Sequence, residues 1–188
     1  MSVPTVPDVI ARPGDGEVDM FGLTHPGKVR GENQDHFLVC SLRRQVRVHL
    51  TSLPNPERLD GEKQRVAFLA MVADGVGGSG KGGEASRLAV EAVTKYVTNS
   101  LYTCYAVDPA DAETFSAALY DAAMQCHEEI EQLAMENREL MGMATTLTVW
   151  LGVWPKGYLL QVGDSRCYLM RDGDLMQLSR DQTMAQEL

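Results

Sequence analysis

The run Val66-Ala67-Phe68-Leu69-Ala70-Met71-Val72-Ala73 leads directly into Asp74-Gly75-Val76-Gly77-Gly78-Ser79-Gly80-Lys81-Gly82-Gly83, and this junction constrains the chain more than any other feature. A short apolar run without alternation predicts a strand covered on both faces. From Gly83 onward Ala85, Leu88, Ala89, Ala92, Val93, Tyr96 and Val97 recur at helical spacing. The order is strand, acidic glycine loop, helix. It sets a carboxylate at a strand end before a loop with almost no side chains, which leaves room for a hard cation that keeps open water positions. The same loop also fits two roles without such a cation site. The glycines can simply permit a turn. Gly75 to Gly82 also reads GxxxxGKG, close to a nucleotide-binding P-loop, although Gly82 stands where such a loop needs a Ser or Thr hydroxyl for magnesium.

Around this junction the pattern is mixed. Residues 1–16, with prolines among small and polar residues, read as a loosely ordered arm, and residues 17–188 as one domain. Asp19 to Thr24 and His36 to Leu42 read as two strands or a hairpin, with Pro26-Gly27 between them. Arg43 to Gln64 reads as a long insertion, its arginines Arg43, Arg44, Arg47 and Arg58 making either a small basic patch or a solvated loop. Asp108-Pro109 opens a second helix with Phe115, Ala118, Leu119, Ala122, Cys126, Ile130 and Leu133 on one stripe. Strands follow at Thr146 to Val153, Tyr158 to Gly163, Cys167 to Arg171 and Leu175 to Leu178, the last two joined by an Asp172-Gly173 turn. Strands, two helices, then more strands make an α+β order, which predicts antiparallel sheets with helices packed outside.

Charge narrows the partners. With 17 Lys+Arg against 26 Asp+Glu the net charge is -9, so the average surface repels nucleic acid and anionic membrane. A phosphorylated ligand then needs a local basic group or a metal ion. Cys40, Cys104, Cys126 and Cys167 form no CxxC pair and lie among apolar residues, which reads as buried thiols in a cytoplasmic protein. No apolar run has the roughly 18 residues a bilayer needs.

Two further polar clusters accompany Asp74. Arg30-Gly31-Glu32-Asn33-Gln34-Asp35 could grip a phosphate through Arg30 and hold water or metal through Asp35, or be a polar turn. Gln161-Val162-Gly163-Asp164-Ser165-Arg166 is an acidic turn between two apolar segments, able to bring Asp164 beside Asp74 if the strands are neighbours.

Taken in order, Gly22-Leu23-Thr24, Arg30-x-x-Asn33-Gln34-Asp35, Val72-Ala73-Asp74-Gly75-Val76-Gly77-Gly78, Gly83-Glu84-Ala85-Ser86, Gly142-Met143-Ala144-Thr145-Thr146 and Val162-Gly163-Asp164-Ser165-Arg166 resemble the bacterial branch of the protein phosphatase 2C (PPM) family. The resemblance implies a sandwich of two antiparallel β-sheets flanked by α-helices, with two or three magnesium or manganese ions at one end. It implies hydrolysis of phosphoserine and phosphothreonine in proteins by a metal-activated water. Asp74 would bridge two metals, the Gly75 carbonyl would bind one, Asp35 would hold one through water, and Asp164 would serve a third. Arg30 would bind the substrate phosphate.

The chain also departs from the family pattern. Ser79 stands where many bacterial relatives have a histidine that could protonate the leaving group. The family's two distal aspartates have no match after Asp164; Asp172, Asp174 and Asp181 follow instead, so the domain is expected to be incomplete at its C-terminal side. That raises an alternative function, a phosphatase-like module that binds metal or phosphopeptide without turnover. It also raises the expectation of self-association through exposed sheet edges.

Overall fold

A computed structural model describes residues 11–29, 31–44, 64–77, 80–104 and 112–182. Among them are strands β1 (Asp35–Arg44), β2 (Gln64–Val76), β3 (Ala144–Thr145), β4 (Leu147–Val153), β5 (Lys156–Val162), β6 (Tyr168–Arg171) and β7 (Asp174–Gln177). Helices α1 (Lys81–Cys104) and α2 (Ala112–Glu136) lie between β2 and β3. One antiparallel sheet runs in the order β1-β2-β4-β5, with β3 pairing the end of β2, and β6 and β7 form a second. The fold is therefore α+β, two antiparallel sheets flanked by two helices, as the sequence predicts. Expected turn chemistry also holds between β6 and β7, where Asp172 at φ 53 and Gly173 at φ 93 occupy the left-handed positions of a two-residue hairpin.

The helices cover one face of the larger sheet. Helix α1 packs on β1 and β2, and α2 packs on α1 and β5. Leu69 and Met71 of β2, Val149 and Leu151 of β4, Val93 of α1, and Phe115 and Leu119 of α2 form the core. The α2 stripe is as spaced in the sequence, with Phe115, Leu119, Ala122 and Cys126 buried. Burial pushes the Cys126 thiol up to about 11.

Two expectations fail. Strand β2 is not covered evenly on both faces: Leu69 and Ala73 are wholly buried on the helix side, while Val72 on the other side is 47% exposed. The run lacks alternation because its second face is also apolar. That face looks toward the β6–β7 side, where a cavity of about 690 Å³ is lined by residues including Phe21, Ala70, Trp150 and Leu169. Nor do Asp19 to Thr24 pair with His36 to Leu42: β1 pairs with β2, Asp35 opposite Asp74 and His36 opposite Ala73, and ends the described sheet order. Residues 18–26 carry no regular structure, and Gly22 lies against the Phe37 ring. Phe21 and Leu23 are exposed, so the stretch has strand-forming residue types but no neighbouring main chain to complete a ladder.

The last residues of the expected N-terminal arm contact the sheet. Arg12 donates to the Arg65 carbonyl, and Asp15 bridges Arg65 and Arg43, the latter at 2.5 Å. Arg65 also donates to the Pro13 carbonyl and lies 4.2 Å over the Phe68 ring, which satisfies a guanidinium that is 8% exposed. Most of the insertion read from Arg43 to Gln64, including Arg47 and Arg58, lies outside the described residues, as do Asp108 and Pro109.

Candidate metal centre

The Asp74 end of β2 is fixed from three sides. On one edge its neighbour is β1, in a register that puts Asp35 directly across from Asp74. Directly opposed residues of an antiparallel pair project to the same face, so both aspartates leave the strand pair on one side. On the other edge the Asp74 carbonyl accepts from the Thr146 amide at 2.9 Å and the Thr145 hydroxyl at 3.0 Å, and the Asp74 amide donates to Thr146 Oγ1 at 3.1 Å. Behind it stands the first turn of α1.

That turn explains the glycines. A β-carbon on Gly82 would lie 2.6 Å from the Gly75 carbonyl oxygen, and one on Gly75 would lie 2.6 Å from the Gln34 oxygen and closer still to the Gly82 carbonyl. Strand end and helix start therefore touch main chain to main chain. The Gly75 amide donates to the Gln34 carbonyl at 3.2 Å, and the wholly buried Ser86 sends its hydroxyl to the same carbonyl at 2.5 Å. His36 Nδ1 lies 2.9 Å from Ser86 Oγ. The motif residues Gln34, Gly75, Gly82 and Ser86 thus form one joint beneath the two aspartates. Glu84, on the same turn, pairs with Arg87 at 2.6 Å, which holds its carboxyl below the ordinary range.

Asp164 is held differently. Its turn follows β5, and β4 lies between β5 and β2. Two strand spacings, about 10 Å, therefore separate the turn's own strand from β2. The turn leans back across β4 through Ser165, whose hydroxyl meets Thr146 Oγ1 at 2.8 Å and whose carbonyl accepts from Thr148 at 3.1 Å. Gly163, at φ 99, accepts from the Gln182 amide at 2.9 Å. Arg166 grips Asp181 with three hydrogen bonds, Nε donating to Oδ1 at 2.9 Å and Oδ2 at 3.0 Å and Nη2 to Oδ2 at 2.5 Å.

That last pair has a pH signature. Arg166 holds the Asp181 carboxyl below its ordinary value of 3.8. A lowered folded-state value means the pair stabilises fully above about pH 4 and is lost as pH falls through the folded value. The Gly163 and Gln182 amide resonances should therefore shift together on acidification below pH 3.8. Asp181→Asn should remove the step; a step that survives in the variant would place the titration elsewhere.

Among the described residues, no group of three or more His, Cys, Asp or Glu is placed to hold a metal. The structure brings Asp35 and Asp74 together and leaves Asp164 on a separate, exposed turn. Arg30 and Ser79 lie outside the described residues. Two carboxylates beside main-chain oxygens fit one hard divalent cation that keeps much of its water shell, but they do not amount to a set for two ions. The P-loop reading gains nothing: the sheet is antiparallel, and Lys81 sends Nζ to the Met141 carbonyl at 3.3 Å. Sequence reasoning gave no role to Thr145, Thr146 or Ser86. The signal was present as the Thr-Thr pair at a strand entrance and a lone Ser on the apolar face of α1.

An antiparallel sandwich with paired carboxylates at one sheet end is an architecture suited to metal-dependent hydrolysis. Residues 53–186 match the family model described as protein phosphatase 2C. This chain belongs to the protein phosphatase 2C family. It is 36% identical over 124 residues to the serine/threonine protein phosphatase PstP of Mycobacterium tuberculosis, a match covering 65% of this chain and 22% of that protein. Against the serine/threonine phosphatase stp of Listeria monocytogenes it is 32% identical over 122 residues, covering 64% and 45%. The crystal structure of the mycobacterial phosphatase superposes with a TM-score of 0.54 at 27% identity, over 81% of this chain and 57% of that one. A Streptococcus agalactiae serine/threonine phosphatase shares the fold with a TM-score of 0.59 at 21% identity, over 88% and 56%. The matched region is less than half the length of these curated relatives. No helix among the described residues is long and apolar enough to cross a membrane.

Proposed function

We propose that this 188-residue chain binds a divalent cation, magnesium or manganese, at Asp35 and Asp74, and carries the phosphatase frame without completing turnover on its own. The observation behind this reading is the cross-strand Asp35–Asp74 pair without a third carboxylate beside it among the described residues. One cation so held would supply Lewis acidity and a more acidic bound water. The Gly75 carbonyl and Asp164 are proposed as further ligands, and Arg30 as the group that meets a substrate phosphate. Asp35 and Asp74 hold the cation end, while the Gln34–Ser86 joint and the Thr145-Thr146 pair keep both strand ends in place.

Hydrolysis of phosphoserine and phosphothreonine in proteins is the second reading. Family membership favours it, as do the names of the mycobacterial and Listeria relatives. It needs more metal ligands than the two carboxylates the described residues bring together.

Calorimetric titration with Mn²⁺, run beside an assay of phosphate release from a phosphothreonine peptide, separates the two. The expected result is saturable Mn²⁺ uptake, lost in Asp74→Ala, with no peptide turnover above the metal-only blank. Mn²⁺-dependent turnover that disappears in Asp74→Ala would instead establish the hydrolase reading for this chain. Absence of Mn²⁺ uptake would sink both.

A further inference from the structure

We infer that the Thr146 hydroxyl is the positioning group that ties the Asp74 end of β2 to the turn bearing Asp164, so that both carboxylates ride on one hydrogen-bonded frame. For its functional consequence this rests on the metal reading above; the tie itself does not.

Thr146 occupies the break between β3 and β4, where the chain leaves the edge of β2's last residues and enters the middle of the sheet. It is 8% exposed. Its oxygen accepts the Asp74 N–H at 3.1 Å and meets Ser165 Oγ at 2.8 Å, and its own amide donates to the Asp74 carbonyl at 2.9 Å. A hydroxyl has one proton and two lone pairs, so it can accept from Asp74 and still bond Ser165 in either direction. A methyl group in its place cannot bond at all.

The methyl half of Thr146 is used as well. A β-carbon on Gly163 would fall 2.7 Å from Thr146 Cγ2, so the glycine before Asp164 has no side chain because Thr146 fills its space. Gly163 also sits at φ 99, which other residues rarely adopt. On the far side of the turn, Gln161 Nε2 donates to the Gly163 carbonyl at 2.9 Å and to the Ser165 carbonyl at 3.2 Å, and Thr148 adds a second bond to Ser165. Thr148 and Gln161 hold the turn to β4 and β5. Only Thr146 among these three carries the connection onward to the Asp74 amide.

Amide hydrogen exchange at Asp74 tests the tie, with Mn²⁺ calorimetry on the same samples as the functional readout. Thr146→Val keeps the shape and removes the hydroxyl. It should speed Asp74 exchange on the order of tenfold and weaken Mn²⁺ binding. Thr146→Ser restores the hydroxyl and should bring both values within about twofold of the parent. Ser165→Ala should speed Asp74 exchange several-fold through Thr146, whereas Thr148→Val, which frees the same turn at a different bond, should leave it unchanged.

Parent-like Asp74 exchange in Ser165→Ala, or failure of Thr146→Ser to rescue, would overturn the tie. If Thr146→Val does not fold, the serine and Ser165→Ala variants still decide. Faster exchange in Thr146→Val with parent-like Mn²⁺ affinity would overturn the positioning consequence. A parent chain that takes up no Mn²⁺ would sink the metal reading, while the exchange data would still judge the tie.

Discussion

Gly75→Ala is expected to cost about 3 kcal/mol or more, the upper range for forcing extra volume into a packed interior. The new β-carbon would meet the Gly82 carbonyl and, at 2.6 Å, the Gln34 oxygen. Neither is the tip of a flexible side chain. The Gln34 carbonyl is held by the Gly75 amide at 3.2 Å and the Ser86 hydroxyl at 2.5 Å, while Thr145 and Thr146 pin the adjacent Asp74 carbonyl. Relief therefore requires α1 to lift from β2 and the Gln34 carbonyl to move away from Gly75, which would shift the adjoining Asp35 relative to Asp74. In urea the midpoint should fall by about 1.5 M, taking a slope near 2 kcal/mol/M. Gly31→Ala serves as the control, because a β-carbon there meets nothing within 4 Å; it should change stability by no more than about 0.5 kcal/mol. Equal midpoints for the two variants would show that strand and helix are not in main-chain contact.

The same glycines show what sequence alone can and cannot give. Gly75 and Gly82 announced a side-chain-free loop, and the natural chemical reading was space for a cation. Their contact with one another is a long-range packing fact that no local pattern reveals. The α2 stripe was legible because helical period depends on one element's own residues, and the Asp172-Gly173 turn because it needs two residues with positive φ. Asp19 to Thr24 misled for the opposite reason: β-forming residue types describe side chains, whereas a strand also needs a neighbouring backbone. For the candidate site, Asp74 and Asp35 could be named from sequence, but their direct opposition depends on the β1–β2 register, set across an insertion that says little about pairing. Asp164 was legible as an acidic turn. That β4 stands between it and β2 follows only from strand order.

Asp74→Asn is expected to abolish metal-linked stabilisation. Asparagine keeps the main-chain bonds to Thr145 and Thr146, so the frame should survive. A cation held at this strand end binds the folded chain and not the unfolded one, and so stabilises the fold. At about 100 times its dissociation constant the gain is about 2.7 kcal/mol. For a domain of this size that corresponds to a rise in melting temperature of roughly 5–10 °C. The parent should show this rise with Mn²⁺, and Asp74→Asn should show none. Asp35→Asn should retain part of the rise if it holds the cation through water, as the family resemblance implies. A full Mn²⁺ shift in Asp74→Asn would move the binding site away from this strand end, and Asp164→Asn would then be the variant expected to lose it.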